Sequence, residues 1–129
     1  MLLHNARTKI RIWEMKSSMA HLVRNADGDD LLFIHAGSGH LYCDYGPLAF
    51  RDGDYFVLPR STMGRLDSDG PVRVLMVEAT GGASLLPDKG MFGPHAIFDP
   101  AVLDTPAIDD AFLAQQDEKE WEVRVRHRG

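Results

Sequence analysis

The sequence holds a single cysteine, no apolar run approaching the ~18 residues that span a membrane, and no surplus of positive charge. One thiol, Cys43, excludes an internal disulfide and any zinc site built from several thiolates, and it suits a reducing compartment. Cytoplasm is the default location. Residues 1–16 mix Leu2, Leu3 and Ile10 with His4, Arg7, Lys9 and Arg11, so they lack the apolar centre of a signal peptide. The formal charge of −5 and a pI near 5.6 give no broad positive field, which argues against nucleic acid and membrane surfaces as partners. A glycine-rich phosphate loop and a serine in a nucleophile elbow are also missing.

What is present is a chain of 129 residues, 44% of them hydrophobic, enough for one sizeable core and too short for two ordinary domains. Residues 1–129 are therefore expected to form a single domain. Apolar residues alternate in short runs separated by turn residues, the pattern of an all-β sandwich or barrel. The alternation predicts strands over 10–15, 19–24, 31–34, 39–44, 48–51, 55–58, 72–79 and 120–126. Asp27-Gly28, Gly37-Ser38-Gly39, Tyr45-Gly46-Pro47, Asp52-Gly53-Asp54 and Asp69-Gly70-Pro71 read as hairpin connections between them. Residues 39–58 read as two antiparallel hairpins, with Leu41, Cys43, Leu48, Phe50, Phe56 and Leu58 lining the interior.

From Gly81 to Pro106 the pattern gives way to glycine, proline and aspartate, an excursion expected to pack over the barrel surface. One short C-terminal helix should follow, with Thr105 as cap, Pro106 in the first turn, and Ile108, Ala111, Phe112 and Gln115 along one stripe. At the end of the chain Arg124, Arg126, His127 and Arg128 alternate with Trp121, Val123 and Val125, which reads as the solvated outer face of a last strand.

Asp30, Ile34, Gly37, Gly53-Asp54 and Pro59 reproduce the skeleton of the two signature motifs of the cupins, which the chain resembles. The resemblance implies a cupin-type jelly-roll barrel. Metal-binding cupins place a His-x-His pair, an acidic residue and a last histidine at one barrel mouth, where they hold a metal and leave positions open for substrate. Carried across, the pair falls on Asn25 and Asp27, the acid on Asp30 and the last histidine on Gly64. Glycine has no side chain and an amide oxygen is a feeble ligand, so the positions read as vestigial and no metal is expected.

Among the histidines, His35 and His40 flank a tight glycine turn and are the pair best placed to meet as ligands, although solvated surface positions are the blander reading. His4, His21, His95 and His127 have less to recommend them. Cys43 has the parity of a buried core thiol rather than a nucleophile. No catalytic or cofactor-binding residue is assigned.

The runs His4-Asn5-Ala6, Arg24-Asn25-Ala26-Asp27-Gly28-Asp29-Asp30 and Gly37-Ser38-Gly39-His40-Leu41-Tyr42 with Tyr45-Gly46 resemble homogentisate 1,2-dioxygenases, especially bacterial ones. Pro59-Arg60-Ser61-Thr62-Met63, then Gly93-Pro94 and Phe98-Asp99-Pro100, continue the likeness over nearly the whole chain. The Asn-Ala-Asp-Gly-Asp run is its most specific part. The resemblance implies an enzyme family that uses Fe(II), held by two histidines and a glutamate in a C-terminal barrel, to cleave the ring of homogentisate in tyrosine and phenylalanine catabolism. None of those ligands maps onto this chain, which matches the N-terminal barrel. The bacterial branch tends to carry an aromatic residue at the position of Gly64, so a cavity or an opened mouth is expected there.

The expected function is thus that of a structural and assembly domain, inactive alone, with the catalytic barrel as partner. Homo-oligomerisation is also expected, through the apolar side of Trp121, Val123 and Val125. Two other readings stay open: a metal-free cupin that binds a small molecule in its interior, and a metal enzyme using Asp27, Asp30 and His35.

Overall fold

In the computed structural model, residues 1–86, 95, 99–114 and 120–128 are described. The strands are β1 (Leu3–His4), β2 (Thr8–Met15), β3 (Leu22–Asn25), β4 (Asp29–Ala36), β5 (Gly39–Cys43), β6 (Gly46–Phe50), β7 (Tyr55–Leu58), β8 (Met63–Ser68), β9 (Val72–Ala79) and β10 (Val123–Arg126). The described residues also form a helix α1 (Asp110–Ala114) and a 3-10 turn (Pro100–Val102). The expected all-β class with one short C-terminal helix holds. Among the described residues no helix is long and apolar enough to cross a membrane.

The strands form two five-stranded sheets, in the orders β1-β2-β9-β4-β7 and β10-β3-β8-β5-β6. Between the sheets lies a core of Leu32, Ile34, Leu41, Cys43, Phe50, Phe56, Leu66, Val72, Val74 and Met76. Alternation explains it, because every second residue of β4 and β9 turns inward. Phe50 and Phe56 meet edge to face at 5.6 Å within the core.

The hairpin reading of the turns is largely corrected. Of the turns named above, only the one at Tyr45-Gly46 closes a hairpin, with Cys43 paired to Gly46 and β5 to β6, whereas β6 and β7 lie in different sheets and do not form a second one. At Asp27-Gly28, Gly37-Ser38-Gly39, Asp52-Gly53-Asp54 and Asp69-Gly70-Pro71 the chain passes from one sheet to the other. Turn residues mark where a strand stops, and the buried side chains decide which sheet takes the next. At Gly37 the crossing is tight: φ is +111°, and a Cβ would come within 2.7 Å of the Pro71 carbonyl oxygen.

Other boundaries also moved. Strand 19–24 begins at Leu22 and strand 120–126 at Val123, while β1 and β8 went unread. β8 was hidden by Gly64, Arg65 and Asp67, which dilute its apolar pattern although Leu66 points to the core. The helix cap is Asp109, whose Oδ1 accepts from the Phe112 amide at 2.7 Å; Thr105 and Pro106 precede the helix. Gln115 lies outside the described residues, as do Gly93, Pro94 and Phe98. Of the excursion after Gly81, Leu85 and Leu86 are exposed.

Candidate functional site

The four positions aligned with cupin ligands lie near one another, on β3, the β3–β4 turn, β4 and β8. Asn25 ends β3, is buried, and donates from Nδ2 to Asp30 Oδ1 at 2.9 Å while its Oδ1 accepts from the Asp27 amide at 2.9 Å. Gly64 pairs with Val23 of β3 and Cys43 of β5. Asp27 accepts from the Arg128 amide at 2.8 Å, and His127 Nδ1 lies 3.4 Å from the same oxygen.

The strongest partner of Asp30 is Arg126, whose Nη2 lies 2.7 Å from Oδ2. The same guanidinium reaches Glu78 Oε2 through Nη1 at 3.4 Å. Glu78, on the inward parity of Val72, Val74 and Met76, is fully buried and also accepts from Arg11 Nη1; Lys9 Nζ stands 3.9 Å from its other oxygen. Lys9, Arg11 and Arg126 thus face Asp30 and Glu78 inside one end of the barrel. Burial pushes the Asp30 carboxyl above the usual range, against the opposing pull of Arg126 and the Asn25 amide.

Arg126 is therefore not part of a solvated outer face, as the alternation suggested. It points inward, whereas Val123, Arg124 and Val125 are exposed. Two buried carboxylates require counter-charge in a low-dielectric interior, and that requirement outweighs burial of two valines. Lys9, Arg11, Glu78 and Arg126 were not singled out from sequence. The signal was there in parity, since Arg11 shares the phase of Trp13 and Met15 on β2.

The donor set does not fit a metal. Asn25 uses both ends of its amide within the protein, Asp30 is held by a guanidinium and an amide, and Gly64 offers nothing. Among the described residues no group of three or more His, Cys, Asp or Glu is placed to hold a metal ion. Asp27, Asp30 and His35 do not converge: His35 is exposed at the irregularity where β4 slips against β9. His40 stands in the other sheet, its ring stacked 6.0 Å from Tyr42. Cys43 is buried, donates to the Gly46 carbonyl at 3.4 Å, and has its thiol pushed up by burial.

Two cavities adjoin Gly64. The inner one, about 190 Å³, is lined by Trp13, Met19, Leu32, Met76, Asp30 and Arg126 among others. The outer one, about 370 Å³, lies between β8, β5 and the C-terminal segment, with Tyr42, Arg65, Phe112 and Trp121 in its wall. Arg65 sits between the rings of Tyr42 and Trp121, 5.1 and 4.9 Å from their centroids. Gly64 is nonetheless closely fitted, because a Cβ there would meet the Tyr42 carbonyl oxygen at 2.9 Å.

Residues 3–129 match the model of the homogentisate 1,2-dioxygenase N-terminal family. The chain belongs to that family. Homogentisate 1,2-dioxygenases from Bradyrhizobium diazoefficiens (29% identical over 95 residues) and Drosophila melanogaster (25% over 121) are similar to it. These alignments take in 73% and 93% of this chain but 21% and 27% of the relatives, so it spans about a quarter of the length of the enzymes it matches. Solved structures support the cupin fold alone. A cupin protein from Bacteroides fragilis superposes with a TM-score of 0.55 at 12% identity, covering 67% of this chain and 77% of that one. The cupin domain of Schizosaccharomyces pombe Cnp3 gives 0.56 at 14%, covering 62% and 57%.

Proposed function

We propose that residues 1–129 form one cupin-like unit, the structural and assembly barrel of an iron-dependent ring-cleaving dioxygenase of the homogentisate type, and that alone it catalyses no ring cleavage. The observation carrying this reading is the pairing of Asp30, at the acidic ligand position, with Arg126 and Asn25. A guanidinium tethered to the last strand supplies the positive charge that a metal supplies elsewhere in the fold. In this reading Fe(II), ring cleavage and the role in tyrosine and phenylalanine catabolism in the cytoplasm belong to a catalytic barrel that packs against this one. The fourfold greater length of the relatives supports it.

The test is a chimera in which this chain replaces the matching part of the Bradyrhizobium enzyme. Fe(II)-dependent oxygen uptake with homogentisate should persist in the chimera and be lost when the segment is deleted. A remainder that is as soluble and active without any such segment overturns the scaffold role. A second reading, a small-molecule site in the barrel, has the inner cavity in its favour. At about 190 Å³ that cavity is smaller than the ~300–1,000 Å³ of ordinary ligand pockets, which restricts it to a ligand about the size of one aromatic ring.

A further inference from the structure

The inner cavity lies between the two sheets, and its walls are of two kinds. Trp13, Leu32 and Met76 close it from β2, β4 and β9, Leu41 and Leu66 close it from β5 and β8, and Met19 completes this apolar part. An apolar cavity of ~150 Å³ takes up benzene. At about 190 Å³ the inner cavity therefore has room for one six-membered ring with a single small substituent.

The polar wall is Asp30 with Arg126. A carboxylate has about four lone-pair positions, and Asp30 uses one on each oxygen, for the Asn25 amide at 2.9 Å and the Arg126 guanidinium at 2.7 Å. Acceptor capacity thus remains on a buried group that faces an otherwise apolar space, and a hydroxyl on the ring would fill it. The guanidiniums in the lining are already matched, Arg126 by Asp30 and Glu78, and Arg65 by Asp67. A carboxylate on the ring would enter this low-dielectric space without a counter-charge of its own. An ammonium would have to compete with Arg126 for Asp30.

We infer that the inner cavity is a binding site for a neutral, ring-sized alcohol or phenol, with its ring among the leucines and methionines and its hydroxyl donating to Asp30. The inference rests on the small-molecule reading of the cavity given above and adds the class of ligand. It is independent of the scaffold role.

Titration of the 129-residue protein with phenol, followed through isotope-labelled methionine methyl groups by NMR, tests it. Met19 and Met76 line the inner cavity, Met63 lines the outer one and Met1 is exposed, so these methyls report where the ring sits. Met19 and Met76 should shift saturably, with a dissociation constant on the order of 1 mM for so small a ligand, while Met1 and Met63 stay in place. Toluene, which has the same shape without the hydroxyl, should bind about tenfold more weakly, the worth of one hydrogen bond to a charged group. Benzoate should leave all four methyls unmoved. Asp30→Asn should lower the affinity for phenol to that for toluene, and the comparison of ligands on the unaltered protein carries the test if that variant does not fold. No shift of Met19 and Met76 with any of the three compounds overturns the small-molecule reading and this inference with it. Equal affinity for toluene and phenol, or saturable binding of benzoate, leaves a cavity that takes rings but overturns the assignment of a neutral hydroxyl to Asp30. A phenol shift confined to Met63 places the ligand in the outer cavity and overturns the inference likewise.

Discussion

Arg126 Nη2 lies 2.7 Å from Asp30 Oδ2 across a sequence separation of 96 residues, and this contact fastens the last strand into the barrel end. β10 runs parallel to β3 at the sheet edge and pairs with it over four residues. Removing the guanidinium leaves Asp30 and the fully buried Glu78 short of counter-charge. Arg126→Ala should therefore destabilise the fold by about 3 kcal/mol, the usual cost of orphaning a buried ion pair. Urea denaturation measures it, and a loss below about 0.5 kcal/mol, the size of an ordinary surface substitution, would show the pair to be no more than surface decoration.

Asp29 and Asp30 should titrate in opposite directions from the ordinary aspartate value of 3.8. For Asp29, burial pulls upward, but amides of Ser84 and Arg60 bound to its carboxylate outweigh it and hold it low. Its stabilising contribution is present above 3.8 and is lost as pH falls through the depressed folded value. Asp30, raised chiefly by burial, has the reverse slope: the folded state binds the proton better, so its contribution weakens as pH rises from 3.8 through the folded value. Carboxyl carbon NMR titration separates the two, and a shared midpoint for both would refute the difference in environment.

Gly64→Ala tests how the barrel is closed beside its cavities. An alanine Cβ must push β5 or β8 aside, so the variant should lose about 1–3 kcal/mol, as overpacked sites do. A gain in thermal stability would mean that the space beside Gly64 is a simple hole waiting for a side chain.

The Cys43 thiol should be inert in the folded protein, because it is buried, bonded to the Gly46 carbonyl and raised in pKa by burial. Reaction with an aromatic disulfide reagent should proceed only at the rate of unfolding. Fast stoichiometric labelling under native conditions would contradict the core assignment.

Much of the fold could be read from parity. The inward sides of β5, β6 and β7 were legible: Leu41, Cys43, Phe50 and Phe56 stand in the core and Leu48 and Leu58 pack against it. Sheet membership was not legible, since turns such as Asp52-Gly53-Asp54 look alike whether the chain folds back or crosses to the opposite sheet. At the candidate site the motif spacing pointed to Asn25, Asp27, Asp30 and Gly64. Arg126 escaped because its partners are distant in sequence: a tail rich in arginine looks solvated until Asp30 and Glu78 are seen beneath it.

The central claim, that a tethered guanidinium stands where metal-binding cupins hold a cation, is tested most directly by oxygen uptake. The 129-residue protein, supplied with homogentisate and Fe(II), should consume oxygen at the rate of a protein-free control, because Asn25, Asp27, Asp30 and Gly64 offer the metal no ligand set. Protein-dependent uptake that disappears in Asp30→Ala would contradict the claim.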